Sequence, residues 1–367
     1  MEIGFVPAGG IRTSFHPRLV FPPFGDYIGL HVKVRKGKMR HIEEQMQQGL
    51  VDGAVVLAGN LEQDLFAGAW GFADKTRQIP MSEDTIFDIA SVTKAIGTNS
   101  VLLASLADGL LELDRPFTDY LTDFSGNQFG LVTLRELALH ISGVNIAYCD
   151  TGTQAEMHRK ILAVDFLKPP RAEYQYTCTN YILIGFLLEK LYGRTLSEIA
   201  AERVFRPLGM SETNWTKPVD GGLARTIRTI NAEPGIISDP GARHYAPLPF
   251  GNAGIFTTAA DLAKYARMML RNDGAIFPQE ILQLCFNDLN PPQVAHPHSI
   301  GWDKMPDMIP AGLSDQTVFH NGWTGQTVWI DPGTKQFVIV LTNRMRSWDK
   351  AKYGRKAIAE EILAELK

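Results

Sequence analysis

Strand-like runs sit at the two ends of this chain with a long helical stretch between them, and that distribution constrains the fold more than any other feature. Gly53 to Ala58 and Asp64 to Phe72 are two such runs, and Gly59-Asn60 starts a turn between them, which predicts an antiparallel hairpin. Val318 to His320, Thr327 to Ile330 and Gln336 to Thr342 are β-rich, with Asp331-Pro-Gly-Thr as a turn between the last two. The expectation is an α+β fold: one antiparallel sheet made from both ends of the chain, flanked by helices, with a mostly helical insertion beside it. The expected organisation is an irregular arm over 1–38, a sheet domain over 39–94 and 251–367, and a mostly helical domain over 95–250.

The helical signals are spaced and capped. Ile42, Met46 and Leu50 form an i, i+4 stripe. Val132 to His140 reads as a helix with Thr133 at its N-cap and Glu136 three residues on, a capping box, and it stops at Ser142-Gly143. Thr179 to Tyr192, Ser197 to Leu208, Thr258 to Leu270 and about Asp349 to Leu366 are further helices. The stretch from about 215 to 250 is rich in Pro and Gly and reads as a long loop of the kind that covers a site.

Composition narrows the function classes. The 367 residues are 45% hydrophobic with a formal charge of -4, enough for a sizeable core and no invitation to nucleic acid. Cys149, Cys178 and Cys285 are too few and scattered for a disulfide framework, which fits a reducing compartment. No stretch reaches the roughly 18 apolar residues that span a bilayer. The expectation is a cytoplasmic protein without membrane partners, or an exported one from which a leader has been removed. The Pro-, Gly- and aromatic-rich arm is a candidate cover for a partner subunit, and so for oligomer formation.

Chemistry concentrates on Ser91-Val-Thr-Lys94. An apolar lead-in from Ile86 to Ala90 runs into the serine, and a helix opening there puts Lys94 on the same face, because i and i+3 are surface neighbours. A serine becomes a nucleophile when a neighbour takes its proton, and a lysine does so only when neutral, a state that burial favours. The bland alternative is a capped surface helix with a solvated lysine. Tyr176, just before an apolar helix, is the candidate for passing the proton to the leaving group. Phe319-His320-Asn321-Gly322-Trp323-Thr-Gly325 reads as a strand ending in glycines, where a substrate can come close to the backbone. The N–H groups of Ser91 and Trp323 are candidate oxyanion donors. His296-Pro-His298 lacks a third ligand at recognisable spacing and reads as a loop, so no metal is expected.

With these residues in view, the chain resembles the serine β-lactamase and penicillin-binding-protein superfamily, in the class C-like branch with D-Ala-D-Ala carboxypeptidases and family VIII esterases. The family's three motifs are Ser-x-x-Lys, Tyr-x-Asn and Lys/His-x-Gly, and here Ser91-Val-Thr-Lys94, Tyr176-Thr-Cys178 and His320-Asn-Gly322 stand in the same order. Thr133-Leu-Arg-Glu-Leu-Ala-Leu-His-Ile-Ser-Gly143, Arg206-Pro-Leu-Gly-Met210 and Gly251-Asn-Ala-Gly-Ile-Phe-Thr-Thr-Ala-Ala-Asp261 look like family landmarks, and the likeness covers roughly 40–365. The resemblance implies a serine hydrolase with a covalent acyl-enzyme and no cofactor. It implies Ser91, Lys94 and Tyr176 as catalytic residues, with Cys178, His320, Asn321 and Gly322 at the substrate. One position departs from the family: Cys178 replaces the asparagine that elsewhere bonds the motif lysine and the substrate amide. His320 likewise leaves no fixed cation for a substrate carboxylate. Both changes point to a carboxylesterase on small esters, ahead of a D-Ala-D-Ala carboxypeptidase or weak β-lactamase acting on amides or β-lactams, and ahead of a non-catalytic binding relative.

Overall fold

Each end of the chain contributes a strand to the middle of one large sheet. The computed structural model describes residues 39–124, 131–147 and 150–367; the expected arm over 1–38 and Cys149 lie outside them. The strands are β1 (Val51–Asn60), β2 (Asp64–Asp74), β3 (Ile79–Pro80), β4 (Phe87–Asp88), β5 (Asn214–Trp215), β6 (Ile255–Thr257), β7 (His298–Ser299), β8 (Trp302–Asp303), β9 (Val318–Gly322), β10 (Gln326–Asp331) and β11 (Gln336–Arg344). The large sheet runs β3-β2-β1-β11-β10-β9-β8-β7, and β4-β6-β5 form a smaller one. β1 pairs antiparallel with both β2 and β11, with Val56 opposite Val340, so the predicted hairpin is present and sits against the last strand.

The helices are α1 (Arg40–Gln47), α2 (Asn99–Ala107), α3 (Phe117–Tyr120), α4 (Leu134–Ala138), α5 (Gln154–Leu162), α6 (Cys178–Tyr192), α7 (Leu196–Ala200), α8 (Pro240–Tyr245), α9 (Ala259–Arg271), α10 (Gln279–Gln283) and α11 (Trp348–Glu365). The capping box of α4 is formed as its spacing predicts, with the Thr133 N–H donating to Glu136 Oε2 at 2.6 Å. Among the described residues, no helix is long and apolar enough to cross a membrane.

Both faces of the large sheet are covered, which is why its strands read as near-continuous apolar runs instead of alternating ones. On β1, Val55 and Leu57 face the larger core shared with α2, α6 and α9, while Ala54, Val56 and Ala58 face a second core under α1 and α11. α1 and α11 also meet through polar groups: Glu361 accepts from the first N–H groups of α1, Arg40 at 2.9 Å and His41 at 3.1 Å, a cap supplied from the far end of the sequence.

Two expectations are corrected. The stretch 215–250 is not all loop, because α8 starts at Pro240 with Asp239 as its N-cap; a proline at the first helical position begins a helix instead of breaking one. His296-Pro-His298 is not all loop either, since His298 opens the edge strand β7, a two-residue strand too short to show any period.

Candidate active site

β4 delivers the chain to the nucleophile position through a strained turn. Ala90 has φ 43°, a left-handed conformation that costs a non-glycine residue free energy. Asp88 holds it there, accepting from the Ala90 N–H at 3.0 Å on one oxygen and from the Ser238 N–H at 2.8 Å on the other. Burial pushes this carboxyl up against those two donors. After Ser91 the chain turns through i→i−3 bonds from Val92, Thr93 and Lys94, then through one wide π-helical turn over Lys94–Thr98 before α2 begins.

That geometry places Lys94 wholly inside the protein, at 0% exposure. Its Nζ lies 3.0 Å from Ser91 Oγ, 3.0 Å from the Asn252 carbonyl oxygen and 3.5 Å from Cys178 Sγ. The solvated-lysine alternative is thereby excluded. Burial acts most strongly on Lys94 and favours the neutral amine, but Cys178, Tyr176 and Asp239 together outweigh it and hold the ammonium above its ordinary range.

Tyr176 closes the other side. Its ring centroid is 5.1 Å from Lys94 Nζ. The residue is 42% exposed, but its hydroxyl end turns inward toward Lys94 and Ser91. Burial pushes the phenol up and Lys94 pulls it back. Behind it lies His140, 1% exposed and with φ 57°, its ring centroid 4.6 Å from that of Tyr176. Its Nδ1 lies 3.0 Å from the Asn180 amide nitrogen, which donates to it. Burial, then His298 and Lys94, hold His140 well below the usual imidazole range, so it is neutral.

The third motif approaches along β9. Gly322 is packed so tightly that a β-carbon there would lie 2.5 Å from the Ile89 carbonyl oxygen, which brings the strand end against the lead-in to Ser91. Thr324 Oγ1 donates to the Asp88 carbonyl at 2.8 Å and fastens the turn beyond Trp323 to the same lead-in. Among the described residues, neither the Ser91 N–H nor the Trp323 N–H donates to another protein group. His320 is buried and its imidazole is pushed down to about 3, by burial first and Lys94 next, so it supplies no cation. Asn321 requires a correction: strand alternation turns its side chain to the opposite face from His320, where Oδ1 accepts from Thr327 Oγ1 at 2.7 Å and from Arg355 Nη2 at 3.4 Å. His296 and His298 join an aromatic cluster, His296 stacking on Tyr174 at 3.5 Å between centroids, and no group of ligands for a metal forms among the described residues.

Asn252 and His140 escaped the sequence reading as individual site residues. Asn252 contributes a backbone carbonyl, which leaves no side-chain signature, and His140 looked like the end of a helix. Both stand in the landmark stretches, and that was the available signal.

Residues 39–362 match the beta-lactamase family. The chain belongs to that family. This beta-lactamase-family chain therefore has the fold and the serine-hydrolase descent that its three motifs implied. It is 25% identical over 369 aligned positions to an Escherichia coli O157:H7 protein provisionally named a D-alanyl-D-alanine carboxypeptidase, with 87% of this chain and 84% of the relative covered. A class C beta-lactamase structure superposes with a TM-score of 0.74 at 19% identity, covering 89% of this chain and 95% of the other. EstCE1, described as a hydrolase with promiscuous acyltransferase activity, superposes with a TM-score of 0.72 at 20% identity, covering 88% and 96%.

Proposed function

We propose that this beta-lactamase-family enzyme is a carboxylesterase that cleaves small esters through an acyl-enzyme on Ser91. The observation that carries the reading is the placement of Lys94 Nζ, 3.0 Å from Ser91 Oγ with its other two neighbours fixed. When the amine is neutral, the Asn252 carbonyl and Cys178 sulfur take its two N–H groups, and the lone pair faces the serine hydroxyl. Lys94 then accepts the Ser91 proton as Oγ attacks the ester carbonyl. Tyr176 relays a proton to the departing alkoxide, and the N–H groups of Ser91 and Trp323 receive the oxyanion. Water repeats the sequence on the acyl-enzyme. The leaving group is an alcohol and the product an acid.

The ester preference rests on two side chains. Cys178 offers a weak donor and a weak acceptor where an amide would offer both in strength, and His320 is neutral. An ester acyl group needs less anchoring than a peptide or a β-lactam. The free thiols of Cys178 and Cys285 accord with a cytoplasmic setting.

A second reading, a D-Ala-D-Ala carboxypeptidase or weak β-lactamase, is favoured by the name of the Escherichia coli relative. A fluorescent penicillin beside a panel of p-nitrophenyl esters separates the two: fast labelling with D-alanine release selects the second. For either reading, Ser91→Ala should abolish turnover. Wild-type rates on p-nitrophenyl butyrate in that variant would end both.

A further inference from the structure

Two arginines lie inside the protein beneath the third motif, and neither has a carboxylate partner among the described residues. Arg344, the last residue of β11, is 2% exposed, and Arg355, on α11, is 0% exposed. Arg355 donates to Thr327 Oγ1 at 2.7 Å, to the Ala351 carbonyl at 3.2 Å and to Asn321 Oδ1 at 3.4 Å, all neutral. Arg344 donates from Nε to the Trp323 carbonyl at 2.5 Å and from Nη1 to the Arg346 carbonyl at 2.6 Å, and its Nη2 has no partner. Burying a guanidinium without an anion is unfavourable, and a neutral side chain of similar length would pack here at lower cost. Stability does not account for Arg344.

Several of the Arg344 contacts converge on Trp323 and its surroundings. Its guanidinium lies 4.1 Å from the Trp323 ring centroid, and its own N–H donates to the Thr324 carbonyl at 2.7 Å. On the outer side the Trp323 indole stacks on Trp348, with 5.3 Å between ring centroids and 24° between planes. Trp323 stands in a turn beyond β9 and is 47% exposed, so its backbone has no ladder to fix it. Gripping both its carbonyl and its ring holds the Cα of that residue in place, while tightly packed Gly322 at the end of β9 holds the peptide before it, and the two together set the direction of the Trp323 N–H. That N–H is the second oxyanion donor of the proposed mechanism, and a donor helps only if it already points where the charge develops.

We propose that Arg344 is a positioning residue for acyl transfer, holding Trp323 so that its N–H is aimed at the oxyanion. The role rests on the Ser91 hydrolase reading. A bond to the oxyanion exists in the transition state and not with the neutral ester, so its loss falls on kcat and spares KM.

The test compares wild type, Arg344→Met and Arg344→Lys on p-nitrophenyl butyrate, with inhibition by butylboronic acid, whose serine adduct is tetrahedral, and with near-ultraviolet circular dichroism of the stacked tryptophans. Arg344→Met is expected to lower kcat on the order of ten- to a hundredfold and to weaken boronate binding in parallel. KM is expected to stay within about threefold, and the tryptophan couplet to weaken. Arg344→Lys keeps a donor for the Trp323 carbonyl and should recover part of the rate. If Arg344→Met does not fold, Trp348→Ala removes the outer layer of the same stack and carries the same expectation. A folded Arg344→Met with wild-type kcat, or a variant in which KM rises while kcat holds, overturns the positioning role alone. A wild type inert to esters and to a fluorophosphonate probe overturns the hydrolase reading and this role with it.

Discussion

Under the proposed esterase reading, the substrate preference turns on Cys178. It is the first residue of α6, behind the Thr177 cap, and its sulfur occupies the place from which an amide would reach Lys94. An asparagine there would accept strongly from Lys94 and still donate toward an acyl-side amide. A hydrogen bond gained only in the transition state is worth about 1 to 3 kcal/mol, or roughly ten- to a hundredfold in rate. We expect Cys178→Asn to raise kcat/KM for nitrocefin more than for p-nitrophenyl butyrate. Equal changes on both substrates would remove position 178 as the source of ester preference. At this scale the sequence was informative wherever a side chain acts by its own chemistry: Ser91, Lys94 and Tyr176 were visible by type and spacing, and the structure brings them together. Asn252 acts through a carbonyl and Asn321 through the face of its strand, and neither property is carried by residue type.

The element that aims the lysine is the π-helical turn over Lys94–Thr98. Thr98 Oγ1 donates to the Gly251 carbonyl at 2.6 Å, and Thr93 Oγ1 accepts from the Ile255 N–H at 3.2 Å, so the widened turn is pinned at both ends against the residues around Asn252. Gly97 lies inside it, and a β-carbon there would sit 2.7 Å from Ile255 Cδ1 and 2.9 Å from the Trp215 ring. Gly97→Ala should therefore push the turn away from β6, lowering stability by about 1 to 3 kcal/mol and separating Lys94 from Ser91. Urea unfolding measures the first effect and kcat the second; a variant as stable and as active as wild type would show that the turn has slack. Long elements with steady periods were legible, the hairpin, α9 and α11, and so was the short α4 through its capping box. Pieces of two or three residues such as β5, β7 and β8 were not, because pairing across the fold and not local sequence creates them. α8 was hidden by its own proline.

Across the whole molecule, a set of histidines is enclosed beside the cleft. His140, His298 and His320 are each at most 6% exposed, with Lys94, His296, Asp288 and Asp303 as their charged or titratable surroundings. Burial pushes His298 down to about 4 and His320 to about 3, and carries His140 well below its usual range. The unfolded chain protonates all three near pH 6.5. Below that the unfolded state binds more protons than the folded one, so stability falls as pH falls, by up to about 1.4 kcal/mol per pH unit for each such histidine. Full stability is present above about pH 7 and is lost progressively between about 6.5 and 3. Urea midpoints at pH 7.5 and 5.0 should differ steeply, and His298→Asn should flatten the dependence; an unchanged slope in that variant would take His298 out of the account.

The neighbourhood of β1 and β11 at the centre of the sheet has a consequence for how the protein is made. Val56 meets Val340 only after all the residues between them have been translated, so the emerging hairpin waits on the ribosome with one backbone edge open. Such an edge is a template for other chains, and contacts between such distant residues form slowly. A premature stop before β11 would yield not a slightly shorter enzyme but a sheet split down its middle, with β9 and the third motif cut away from the serine.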